Sequence, residues 1–280
     1  MSKIRLMSQN QWNMWKNLPP WEEKGLDCSP EVRMKGHVQV FKELQPDIVG
    51  GQEVNDQMQL YLKLYCMEAG LPYAQIWGNY TPLIYRSDKL ELLDTEYLLY
   101  PRYVEGYEGH FNDVRSKSCS LGVFRVKEDG KIFIFATTHL WPATEEERPG
   151  SDAVRKIQIG MAIDLICKYQ EKYGNCPVIF GGDMNTAYHT QAVQYALNER
   201  GFAHAHDVAT EYAHPGQGYN SCGPAEGPGD GWWDGPFEAS IDHILVKDLP
   251  KGSVKRFDRY TPDYYLLLSD HAPVFVDVEL

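Results

Sequence analysis

The chain has 280 residues, is 43% hydrophobic by composition and carries a formal net charge of -12. Its mean hydropathy is -0.46, and no stretch approaches the roughly 20 apolar residues of a bilayer-spanning helix. The acidic balance, with no Lys/Arg run longer than two, argues against a tight grip on long DNA. It is compatible with a small phosphorylated substrate and with carboxylates gathered around a cation.

Taken in chain order, "IRLMSQNQW" (4–12) predicts a strand running into a polar turn. Residues 31–45 place Val32, Val38, Phe41 and Leu44 near helical spacing, and Pro46 ends the pattern. "DIVGGQEV" (47–54) is a short apolar strand closing on glycines and a glutamate, and 56–69 return to helix. Residues 73–86 predict paired strands around a Gly-Asn turn, and 90–100 a further strand. "SLGVFRVK" and "IFIFATTHL" form a hairpin across an "EDGK" turn. Residues 152–173 carry the longest helix pattern, with Val154, Ile157, Met161, Ile163, Leu165 and Ile166 as its apolar members. The preceding "EEERP" (145–149) reads as solvation and helix entry. "PVIFGGDMN" (177–185) is a buried strand, 190–200 a helix, and 241–246 and 272–280 the closing strands. The Gly/Pro/Trp-rich stretch 214–238 is too long for an idle connection. Strands dominate, and the pattern predicts sheet packed on sheet with helices outside.

The six cysteines include no C-x-x-C pair, so zinc is not indicated and free thiols are expected. The start "MSKIRLMSQNQWN" has no apolar signal core, so a cytoplasmic location is expected, or a secreted or periplasmic one if a leader has been trimmed.

One pattern recurs. Strand after strand stops at a polar residue: Asn10, Glu53, His139, Asp183 with Asn185, Asp242, and Asp270 with His271. Each alone reads as a turn residue, but ends on one sheet edge converge in space. Glu53 and Asp270 are hard oxygen donors suited to Mg²⁺ or Mn²⁺. Asp183 can orient a water. Asn10 and Asn185 position oxygens without adding charge. His271 can stabilise charge on a phosphoryl oxygen, with Asp242 as the carboxylate that sets its tautomer.

The ordered set "SQNQW", "GGQEV", "TTHLW", "GGDMNT", "IDHILV" and "SDHAPV" resembles the endonuclease/exonuclease/phosphatase superfamily over residues 4–280. That group includes DNase I-like nucleases, AP endonucleases, deadenylases, sphingomyelinases and inositol polyphosphate 5-phosphatases. The resemblance implies an α/β fold, a four-layer α-β-β-α sandwich of two mixed sheets, as one catalytic domain spanning 1–280. It implies Glu53 as main metal ligand with Asn10 beside it and Asp270 completing the metal region. Asp183, helped by Asn185, would align or deprotonate the attacking water. His271, held by Asp242, would bind the scissile phosphate, and His139 would contact phosphate or act as acid on the leaving group. His243 and Ser240 stand where many members carry an aromatic and a basic residue. "ASIDHIL" also lacks the aromatic-Cys-Asp-Arg signature of the inositol 5-phosphatases.

Further residues are candidates for substrate contact: Trp12 and Trp15 after Asn10, Trp232 and Trp233 in the long loop, and Arg115. Arg33, Lys35 and Lys117 join Arg115 as possible phosphate contacts, against a default of solvated surface charge. His189, His204, His206 and His214 with Asp207 are read as surface and turn residues, since no tight ligand spacing appears. The expected function is Mg²⁺- or Mn²⁺-dependent phosphoester hydrolysis, diester ahead of monoester. The substrate would be a small phosphorylated molecule, a nucleic acid or a lipid headgroup, and the protein a monomer. The rivals are a sphingomyelinase-like lipid phosphodiesterase and a non-catalytic phosphate-binding module.

Overall fold

The computed structural model describes residues 2–14, 23, 25, 27, 29–212, 221 and 239–280. Trp15, Trp232, Trp233 and His214 lie outside them, as do Cys28 and Cys222.

Two mixed sheets carry the fold. The first contains β1 (Lys3–Asn10), β2 (Ile48–Gln52), β3 (Tyr73–Ile76), β4 (Leu83–Arg86), β10 (Glu211–Tyr212), β12 (Val254–Arg259) and β13 (Val274–Glu279) in the order β10-β12-β13-β1-β2-β4-β3. The second contains β5 (Leu90–Leu99), β6 (Ser118–Val126), β7 (Ile132–His139), β8 (Val178–Asp183), β9 (Ala203–His204) and β11 (Asp242–Lys247) in the order β5-β6-β7-β8-β11-β9. Parallel pairs β1–β2 and β7–β8 sit among antiparallel ones. Helices α1 (Pro30–Leu44) and α2 (Asp56–Glu68) cover the first sheet; α3 (Ser151–Lys172) and α4 (Gln191–Glu199) cover the second. A single turn, α5 (Ala205–Val208), follows β9. None of the described helices is long and apolar enough to cross a membrane.

Three apolar layers separate these four. Between the sheets lie Ile4, Leu6, Ile48, Phe133, Phe135, Ile179, Ile244 and Val276. Met7, Val49 and Phe275 face outward onto α1 and α2, while Ile134, Phe180 and Leu245 face α3 and α4. The strand period of two sorts these sets. It also carries the inner face from apolar to polar toward one end of the sandwich. Beyond Leu6 and Ile48 come Ser8 and Gln52, which bond one another across β1 and β2, and Gln52 Nε2 reaches Thr137 Oγ1 on the opposite sheet at 2.7 Å. Gly50 lets the sheets approach here, because a β-carbon on it would stand 2.5 Å from Thr137 Oγ1. Gly50→Ala is expected to destabilise the fold by about 1–3 kcal/mol through overpacking, read as a lower urea midpoint.

The expected sheets and main helices are present, and three expectations are corrected. Strand β12 was not anticipated. Its "VKRFDR" looks like a solvated segment, yet Arg256 bonds Asp258 Oδ2 at 2.7 Å and Asp258 is buried, so pairing within the strand lets the charges sit in a sheet. On α3, Ile157 faces solvent while Arg155 and Gln158 are buried, because that side of the helix binds the loop after β7. On α1, Val32 is exposed and Arg33 is buried. The "EEERP" segment does serve helix entry: Glu145 accepts from the Gly150 and Asp152 amides at 2.7 and 3.0 Å. Cys66, Cys119, Cys167 and Cys176 are free thiols, and burial pushes Cys66 up to about 12.

Candidate active site

The polar strand ends meet where the inner faces turn hydrophilic. Register does most of the placing: His139 pairs with Asp183, and Asp242 pairs with Asp183 from the other side. These three residues therefore form one row across the second sheet. From the facing sheet Asn10, last residue of β1, donates through Nδ2 to Asp183 Oδ2 at 2.9 Å. Asp183 is 1% exposed, and its other oxygen accepts the Asn185 amide at 2.9 Å. His139 Nε2 stands 3.4 Å from Asp183 Oδ2 and His271 Nε2 stands 3.9 Å from it.

His271 enters on the turn before β13. Its Nδ1 lies 2.8 Å from Asp242 Oδ2. That contact places the neutral ring's proton on Nδ1 and leaves Nε2 toward Asp183 and Asp270, the latter at 3.9 Å. Two serines not singled out from sequence complete the support. Ser221 donates to Asp242 Oδ2 at 2.6 Å, and its carbonyl accepts the Ala272 amide at 2.7 Å. Ser269 Oγ donates to the Asn10 carbonyl at 2.7 Å and accepts the His271 amide at 3.1 Å. Within the 214–238 stretch Ser221 is the one described residue, and it touches the site. A serine in a Gly-rich loop gives no sequence signal of such a role.

Glu53 follows β2 in a left-handed conformation (φ 60°) and accepts the Asn13 amide at 2.9 Å. Trp12, Tyr80, Val114, Arg115 and Asn185 also have positive φ. Such backbone is disfavoured for side chains other than Asn, and it collects around functional sites. Glu53, Asp183, Asn185, His139 and His271 line one open cleft of about 550 Å³, together with Lys117, Tyr80, Asp113, Val114, Pro142 and Ile241. Asn10 and Asp242 are buried immediately behind it, bonded to lining residues.

The substrate-contact candidates divide. Lys117 is in the cleft and 6% exposed, with Nζ 2.7 Å from His139 Nε2. Arg115, two residues earlier, is exposed and does not line the cleft; its carbonyl accepts from Asn79. Trp12 is 4% exposed and packs under the Arg33 guanidinium, 5.5 Å from its ring centroid, so it is a packing residue outside the cleft lining. Arg33 donates to the carbonyls of Leu268, Gln11 and Trp12, tying the loop after β1 to the segment before β13. Lys35 pairs with Glu31 on the surface at 2.8 Å. His204 is buried with Nε2 3.1 Å from His243 Nδ1, and His243 Nε2 donates to the Thr186 carbonyl at 2.8 Å. His206 contacts Asp207 at 3.4 Å. His243 of β11, backed by His204, thus holds the "GGDMNT" turn.

Among the described residues, Asp183, Asp242 and His271 place ligand atoms within 4.8 Å of one another. Glu53 and Asp270 bring two more carboxylates to the same end of the sandwich. A donor set this rich in oxygen and this negative fits a hard divalent cation.

The chain belongs to the Endonuclease/Exonuclease/phosphatase family, whose sequence profile matches residues 11–271. No curated protein sequence matches it. Solved structures share the fold. A family protein from Bacteroides thetaiotaomicron superposes with a TM-score of 0.74 at 20% identity, covering 99% of this chain and 95% of its own. The mannosyl-6-phosphatase Bt3783 from Bacteroides thetaiotaomicron gives 0.72 at 19% identity, covering 99% of this chain and 100% of its own. TDP2 from D. rerio, complexed with single-strand DNA product, gives 0.66 at 15% identity with both chains fully covered, at 100% each. The family includes phosphoesterases, and the two mixed sheets are its α/β sandwich.

Proposed function

We propose that residues 1–280 form one catalytic unit that hydrolyses a phosphoester by in-line attack of water on phosphorus. The observation that carries this reading is the convergence of Asn10, His139, Asp242 and His271 on Asp183 at the buried floor of one cleft. Asp183 receives hydrogen bonds from Asn10 and Asn185, which fix its carboxylate as an acceptor for a water proton. His271, oriented by Asp242, offers Nε2 to the phosphoryl oxygens and, when protonated, stabilises charge developing on them. His139 stands on the other side of Asp183, where it can hold the phosphate or protonate the leaving oxygen.

Glu53, with Asn10 and Asp270, would hold the divalent cation, and Asp183 lies beside that group. Bound there, Mg²⁺ or Mn²⁺ supplies charge neutralisation of the phosphate and of the leaving oxygen. A phosphosugar phosphatase and a protein holding a DNA product share this fold, so it supports both small and polymeric substrates. The test is hydrolysis of p-nitrophenyl phosphate and bis-(p-nitrophenyl) phosphate with Mg²⁺, Mn²⁺ or EDTA. Turnover should need the metal and stop in EDTA. Turnover that survives exhaustive chelation would overturn the metal assignment, and none with either metal would overturn the hydrolase.

A further inference from the structure

The cleft holds a cation whose position is built rather than incidental. Lys117 precedes β6, whose first residue Ser118 pairs with His139. Buried Asn112 clamps the main chain of Lys117 from both sides: its Oδ1 accepts the Lys117 amide at 2.9 Å and its Nδ2 donates to the Lys117 carbonyl at 2.9 Å. The Lys117 carbonyl also accepts the Tyr100 amide at 3.1 Å. The loop carrying Asn112 is itself held, because Gln158 donates to the Phe111 carbonyl and the Phe111 ring packs edge-on against Trp141 at 5.8 Å. The ammonium ends 2.7 Å from His139 Nε2. A phosphoryl group that touches His139 therefore meets Lys117 as well.

The rest of the lining restricts what that group is attached to. Among the described residues lining the cleft, Lys117 is the only Lys or Arg, beside the carboxylates Glu53, Asp113 and Asp183. Residues 213–238 contain no Lys or Arg at all. A polymer backbone needs a row of cations to hold successive phosphates, and the described lining of this cleft offers a place for one phosphate. The same lining includes the apolar or ring side chains of Pro142, Ile241, Tyr80 and Val114. Val114 is 76% exposed at φ 41°, a strained setting for a β-branched residue. The volume, about 550 Å³, is that of a small-molecule pocket.

We propose that Lys117 is the phosphate-binding residue that makes this a site for a phosphate monoester of a small alcohol with an apolar or ring face. The inference rests on the hydrolase reading and narrows its substrate. A monoester carries close to two negative charges at neutral pH, one more than a diester, and the added cation matches that difference. In the reaction water bonds to phosphorus through oxygen and gives up one proton. The ester P–O bond breaks with its electron pair on the alcohol oxygen, which takes up one proton. Inorganic phosphate and the alcohol leave.

The test compares p-nitrophenyl phosphate with bis-(p-nitrophenyl) phosphate in the wild type, Lys117→Met and Lys117→Arg, with thermal melting as the check on folding. The wild type should prefer the monoester. Lys117→Met should lose about 100-fold in kcat/KM on the monoester and less than about tenfold on the diester, and Lys117→Arg should recover most of the loss. A diester preference in the wild type, or equal losses on both esters, would overturn the inference and leave the hydrolase standing. Calorimetry with inorganic phosphate separates the two readings. Phosphate binding weakened at least about tenfold by Lys117→Met, in a protein that turns over neither ester, would keep the phosphate site and remove the hydrolase. No phosphate binding and no turnover would remove both.

Discussion

Asp183→Ala and His271→Ala should each lower kcat by about 10³-fold or more, and the double variant should be little worse than either single one. Asp183 is the shared acceptor of the site: Asn10 donates to it, and His139 and His271 stand 3.4 and 3.9 Å from the same oxygen. Groups that act on one transition state lose their effect together, so their costs do not add. Alanine at 183 also strands the buried Asn10 amide, at a stability cost of about 1–3 kcal/mol. Asp183→Asn separates the two effects. It keeps the volume and one carbonyl oxygen for Asn10 while removing the carboxylate charge and turning an NH2 toward the Asn185 amide, so it should melt between alanine and wild type and remain inactive. Asp242→Asn should fall between, because the His271 ring would keep its place but lose the carboxylate that sets its tautomer. Single-turnover kinetics on whichever ester the wild type hydrolyses, beside melting curves, would decide. Near-wild-type turnover in Asp183→Asn would remove Asp183 from the chemistry.

Much of this site could be read from the chain because it is built on strand periodicity. Asn10, His139, Asp183 and Asp242 continue the inner-facing series Ile4–Leu6–Ser8, Phe133–Phe135–Thr137, Ile179–Gly181 and Ile244. A polar residue at the end of an inward series points toward the same edge as its neighbours. What could not be read depends on partners far away in sequence. Arg33 looks like a surface residue on a helix, yet its hydrogen-bond acceptor Leu268 lies 235 residues on. Arg115 and Lys117 are equivalent by local pattern. The Asn112 clamp and the β6–β7 register decide that Lys117 turns inward. Trp12 follows Asn10 closely but leaves the strand through a turn at φ 53° and packs beneath Arg33 instead of lining the cleft. Ser221 is one serine in a loop with no periodic signal.

Stability should fall steeply as pH drops below about 6.5, the ordinary value of a histidine in an unfolded chain. Three fully buried histidines cause it. Burial holds His37 and His204 well below the usual range, with the Arg33 charge adding to the effect on His37, and burial lowers His243 to about 4. His204 and His243 share a hydrogen bond at 3.1 Å, and His243 also donates to the Thr186 carbonyl, so both rings are packed in their neutral forms. Above pH 7 these rings are neutral in the folded and unfolded chains alike, and the folded state keeps its full stability. Between pH 6.5 and about 4 the unfolded chain binds protons that the folded chain refuses. Stability then drops by up to about 1.4 kcal/mol per pH unit for each histidine. At pH 5 the three together remove at most about 6 kcal/mol, comparable with the whole stability of many domains. Urea midpoints measured from pH 7.5 to 5 would check this. His37→Gln should flatten the profile by about a third, since an amide can still accept from Gln9 and carries no proton to refuse. A midpoint that stays level from pH 7 to 5 would show that these rings take up protons inside the fold. The "GGDMNT" turn would then be far looser against β11 than the His243–Thr186 hydrogen bond requires.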